Sequence, residues 1–95
     1  MKKDDKSIIN SFNLTLSLLS LKCDAYNMTK YNNNIIGEQL LFEVKKVVSS
    51  ITFINKKDML NIVNRINRID INEIYKKVAK DMLNNRSIMI IASTN

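Results

Sequence analysis

Few side chains in this sequence could do chemistry. The chain has 95 residues, one Cys, no His, no Trp, no Pro and one Gly. Without His there is no residue whose ordinary pKa suits general-base work near neutral pH, and the commonest metal ligand is missing. One Cys and no His cannot make a structural zinc site. A phosphate loop of the Walker type needs two Gly around a Lys-Ser/Thr, and Gly37 stands alone. Carboxylate pairs remain. Asp4 and Asp5 lie in the charged opening MKKDDK, and Asp70 stands three residues before Glu73. That second spacing is a capping box with Asp in the Ser/Thr role, so helix initiation explains it without catalysis. No catalytic residue, metal site or cofactor site is expected, and the chain reads as non-enzymatic. Cys23 has no disulfide partner and no neighbouring base, and it falls on an apolar stripe. It reads as a buried structural thiol.

The second chemical resource is positive charge. Fifteen Lys and Arg against nine Asp and Glu leave a net charge of +6. That suits an anionic partner such as nucleic acid or an acidic membrane. Lys, Asn and Ile also have A/T-rich codons, so a low-GC genome alone accounts for much of the bias. The cations that avoid the apolar stripes are Lys56, Lys57, Arg65 and Arg68, then Lys76, Lys77 and Lys80, with Asn72 among them. These are the candidate nucleic-acid-binding residues, with Lys holding phosphate and Asn reading adenine edges.

Helices must position these groups. A hydrophobic share of 45% is near the globular average and argues against disorder. Tight turns lean on Gly and Pro, which are nearly absent, so long helices with short polar joints are the economical architecture. Ile8, Phe12, Leu16, Leu19, Cys23 and Tyr26 step by three and four, which predicts an amphipathic helix over about 6–28. A second stripe, Leu14, Leu18, Leu21 and Ala25, is read as lying beside it and widening the apolar face. The polar residues between them break any apolar run long enough to span a membrane. The opening MKKDDK and the polar run after it make a poor signal peptide. The protein is therefore expected in the cytoplasm, or inside a host cell.

TKYNNNII, residues 29–36, is the clearest break, and Asn34 is a good N-cap type. Ile36, Leu40, Val44, Val47, Ile51 and Ile54 predict a second helix. SITFI, residues 50–54, is β-branched and suits a strand, but the unbroken stripe favours helix to about 54. Asn55 is an N-cap candidate with Asp58 in the first turn of a third helix, about 56–68, striped by Met59, Ile62, Ile66 and Ile69. A fourth, about 71–84, is read from Ile71, Ile74, Val78 and Met82, capped by Asp70. Asn84 and Asn85 read as its end, with Arg86 at the dipole terminus. SIMIIAS, residues 87–93, is a short strand or an apolar tail. As a strand it needs a partner, with SITFI the one internal candidate and a second subunit the other.

The fold expected is mainly α: a small antiparallel four-helix bundle in a single domain over residues 1–95, with a short apolar C-terminal segment. The alternative is α+β. If SITFI and SIMIIAS pair, the order helix, strand, helix, helix, strand over residues 38–93 resembles a winged-helix domain, and the short joint near Asp70 resembles a helix-turn-helix. That resemblance implies a DNA-binding transcriptional regulator. In size, charge and helical content the chain also resembles bacteriocin immunity proteins and small phage or viral inhibitors, and no motif assigns it to either. Apolar residues beyond the needs of a core mark interfaces. Here they are the second stripe of the first helix and Ile88, Met89, Ile90 and Ile91. The leading expectation is therefore a small regulatory or inhibitory protein of phage, viral or plasmid accessory type that binds another protein. A homo-oligomer follows if the tail pairs between subunits.

Overall fold

The computed structural model describes residues 4–26, 34–85 and 89–91. Helix α1 is Asp5–Tyr26 and α2 is Asn34–Ser50. Strand β1, Phe53–Asn55, leads directly into α3, Lys56–Asn67. Helix α4, Glu73–Asn85, is followed by strand β2, Met89–Ile91. The protein is mainly helical. The main helix contacts are α1 with α2, α2 with α4, α4 with α3, and α3 with α1, so the four close a ring around one core. That core is aliphatic, with Leu16, Leu19, Ile36, Leu40, Val44, Ile54, Ile62, Ile66, Ile69, Ile71 and Leu83 almost wholly shielded.

Two features have local causes. The inner stripe of α1 is as its spacing predicts: Phe12, Leu16, Leu19 and Cys23 are buried, and Ile9 rather than Ile8 continues them toward the N-terminus. The third helix starts where its cap dictates. Asn55 is extended at φ −81° and ψ 164°, and its side-chain oxygen accepts the Asp58 backbone N–H at 2.8 Å.

The helix expected through residue 54 stops at Ser50 instead. Ser49 and Ser50 turn their hydroxyls back onto the carbonyls of Lys45 and Lys46, a back-bond that slightly weakens the last turn. A distant group then completes the break. The Asp5 carboxylate, at the start of α1, accepts the backbone N–H of Thr52 at 3.2 Å and of Phe53 at 3.1 Å. Those amides are drawn out of the helix, and Phe53 opens β1. β1 pairs with β2 in parallel, Ile54 opposite Ile90. Parallel strands require a crossover, which α3 and α4 supply. A wing is a hairpin and its strands run antiparallel, so the winged-helix alternative does not describe this ladder.

The fourth helix differs in start and in face. It begins at Glu73, and Asp70 is not its cap; the Asn72 side chain accepts the Ile74 N–H at 3.1 Å. Ile74 and Val78 are 55% and 37% exposed, whereas Ile71, Ala79 and Leu83 are buried, with Tyr75 and Met82 packed beside them. The reason lies on α2. A β-carbon built at Gly37 would stand 2.5 Å from Cδ2 and Cγ of the Tyr75 ring. The missing side chain at Gly37 thus admits that ring, and α4 turns its Tyr75–Ala79–Leu83 side inward. Arg86, Ile88 and the residues between Tyr26 and Asn34 lie outside the described residues.

Candidate protein-docking face and basic cavity

At ~3.6 residues per turn, Leu14, Leu18, Leu21 and Ala25 lie opposite the buried side of α1, not beside it. Leu14 is 69% exposed, Leu18 58% and Leu21 62%. Helix α1 is thus apolar on two opposed sides, one in the core and one in solvent. The outer stripe steps by four, three and four, the spacing of a helix–helix seam. No charged residue lies between Lys6 and Lys22, so Ser, Asn and Thr border the stripe as far as Leu21, where Lys22 and Asp24 flank its last turn.

Beside Leu21 the α1–α3 junction opens into a cavity of about 340 Å³, lined by Leu16, Ser17, Ser20, Leu21, Arg65 and Arg68. Ser17 and Ser20 share one side of α1, and Arg65 and Arg68 share one side of α3, each pair three residues apart. Arg65 Nη1 donates to Ser17 Oγ at 3.1 Å, while its Nε is buried without a hydrogen-bond partner. Among the described residues neither guanidinium is matched to a carboxylate. A larger recess between α1 and α2, about 500 Å³, holds the Glu43–Lys46 pair at 3.5 Å, whose charges answer each other.

The residues singled out for nucleic acid do not form one surface. Lys76 is buried at 7% exposure rather than turned outward. Its ammonium donates to the Asn67 carbonyl at 3.0 Å, the last residue of α3, and lies 3.4 Å from Glu73 Oε2. It is a cation at a helix C-terminus, where the dipole favours one. Lys80 donates to the Asn67 side chain at 2.8 Å, and Lys77 pairs with Asp81 at 3.1 Å. Asn72 caps α4, and Arg65 turns to α1. Lys56, Lys57 and Arg68 are exposed. Of the residues proposed for a protein interface, Met89, Ile90 and Ile91 lend their backbone to β2, and Ile88 is outside the described residues.

Sequence reasoning missed the role of Ser17 and Ser20 and the meeting of their helix with Arg65. The paired three-residue spacings were visible; that the two pairs face each other was not.

Cys23 is buried, and burial pushes its thiol above the ordinary value, with the charges of Asp70 and Asp24 adding to the shift. Among the described residues no three His, Cys, Asp or Glu side chains gather as metal ligands, and no helix is long and apolar enough to cross a membrane. No family model, curated protein or solved structure matches the chain.

Proposed function

We propose that this chain is a non-enzymatic regulatory or inhibitory module that acts by binding another protein along the outer side of α1. The observation that carries this reading is the exposure of Leu14, Leu18 and Leu21 in one row, on a helix whose opposite side already fills the core. Amphipathic contacts of this kind are read as anchors at seam spacing. From Leu14 to Leu21 the row carries no charge, which limits the desolvation cost that buried ions bring to an interface to its Lys22–Asp24 end. DNA binding finds less support, because Lys76, Lys77, Lys80 and Arg65 are each engaged within the chain.

Leu18→Asp tests the proposal. Leu18 is exposed, so stability should change by no more than about 0.5 kcal/mol, while capture of a discrete partner from the source cells should be lost. Light scattering of the isolated protein identifies the case in which the partner is a second copy. Unchanged capture by Leu18→Asp, together with mixed-sequence duplex binding that persists at physiological salt, would overturn the reading in favour of nucleic acid.

A further inference from the structure

We propose that the Arg65–Arg68 cavity is a carboxylate-binding pocket that takes an acidic side chain of the docked protein next to an apolar one. The inference rests on the reading of α1 as a docking face and adds the chemistry of what docks. Leu21 belongs both to the outer leucine row and to the lining of the cavity, so one ligand segment can touch both. Two guanidiniums and the hydroxyls of Ser17 and Ser20 line it, an acceptor-seeking set that matches a carboxylate. Arg65 uses one Nη1 donor on Ser17, which holds the guanidinium in place and leaves its other terminal N–H groups for a ligand. Pre-positioned donors of this kind lower the ordering cost of binding. The volume, about 340 Å³, accommodates a side chain rather than a large cofactor.

A protein carboxylate is favoured over a nucleic-acid phosphate by what surrounds the pocket. A polyanion backbone needs a track of cations, whereas α1 carries no charge from Ser7 to Leu21. A leucine row ending at two arginines instead matches a segment that presents apolar anchors and then an acid. The net charge of +6 steers such an acidic partner inward.

The probes are N-acetyl-Leu-Glu-amide, N-acetyl-Leu-Gln-amide and inorganic phosphate, titrated into the isotope-labelled full chain. The readouts are the Arg Nε–Hε signals and the amides of Ser17, Ser20 and Leu21. The Leu-Glu probe should shift all of these saturably. The Leu-Gln probe should bind about ten-fold more weakly, the equivalent of one charge-assisted hydrogen bond. Phosphate should bind more weakly than Leu-Glu. Arg68→Gln, at an exposed position, should abolish the preference for Glu over Gln without changing the fold. Arg65→Lys, which keeps the charge and removes the fork, should weaken it.

Equal binding of Glu and Gln probes, or no saturable shift with either, would overturn the pocket. Phosphate binding tighter than Leu-Glu and competed by duplex DNA would reassign it to nucleic acid. If the pocket fails while Leu18→Asp still abolishes partner capture, the docking face stands alone. If the pocket binds while Leu18→Asp changes nothing, the face fails.

Discussion

Lys76→Ala should unfold this protein more readily than any other single change to its charged residues, and the cost can be worked from the structure. The side chain is 8% exposed, so its methylenes are packed and its ammonium is held by Asn67 and Glu73. Truncation to Ala removes three methylenes at ~0.8 kcal/mol each, about 2.4 kcal/mol. It also removes a charge-assisted bond worth about 1.5–3 kcal/mol and leaves the Asn67 carbonyl at the end of α3 without that donor. Relief of the ammonium's own desolvation offsets part of this, leaving a net loss of about 2–3 kcal/mol. Lys76→Met keeps the stem and drops the charge, so it should lose only about 1 kcal/mol. Glu73→Gln should lose no more than about 0.5 kcal/mol, because Glu73 is mostly solvated and its ion pair is screened. For a domain this size each kcal/mol is about 4–8 °C in Tm. Urea unfolding followed by helical circular dichroism gives all three values. A loss under about 1 kcal/mol for Lys76→Ala, at unchanged denaturant slope, would refute the structural role given to this lysine. The same result would return Lys76 to the pool of surface cations.

Further predictions concern packing, capping and the thiol. Gly37→Ala ordinarily stabilises a helix by about 1 kcal/mol, but here the new carbon meets the Tyr75 ring. The variant should instead lose about 1–3 kcal/mol from overpacking, and in a Tyr75→Ala background that penalty should vanish; urea midpoints of the four proteins check it. Asn55→Ala should cost about 1 kcal/mol through loss of the Asp58 contact, read as a lower midpoint with weakened amide protection at the start of α3. For Cys23 the sign follows from a folded thiol pKa raised above the unfolded one. The stability contributed by keeping the thiol protonated is intact below about pH 8.5 and is lost as the pH rises through the raised folded value. Unfolding free energy should therefore fall more steeply over alkaline pH in the native protein than in Cys23→Ala, and parallel pH curves would remove the effect.

Features set by neighbours in sequence were legible in advance. The inner stripe of α1, the aliphatic face of α3 and the Asn55 cap each depend on residues within one or two turns, and spacing alone locates them. Features set by residues far apart were not. Helix α2 ends where it does partly because Asp5 reaches Thr52 and Phe53 from the other end of the sequence. Helix α4 offers two apolar arcs, one through Ile74 and Val78 and one through Tyr75, Ala79 and Leu83; the hole at Gly37 selects the second. Lys76 looked like a surface cation because a lysine in a helix usually is one. Its burial depends on the end of α3 arriving beside it. The basic cavity is of the same kind: Ser17, Ser20, Arg65 and Arg68 carry no joint signal until α1 and α3 pack.

The Asp5 contact bears on how the molecule resists association. A two-stranded ladder leaves β1 with a second edge, and an open strand edge is a template for adding foreign strands. Asp5 occupies the amides of Thr52 and Phe53 with a carboxylate, which can accept but cannot extend a ladder. This guard, at the Phe53 end of β1 only, is mounted in the first turn of α1, the part of a helix that frays most easily. Each transient opening of that turn uncovers two donors at once. The rate at which Thr52 and Phe53 exchange their amide hydrogens should therefore follow the fraying of α1 rather than the stability of β1, and so should the onset of strand-mediated aggregation.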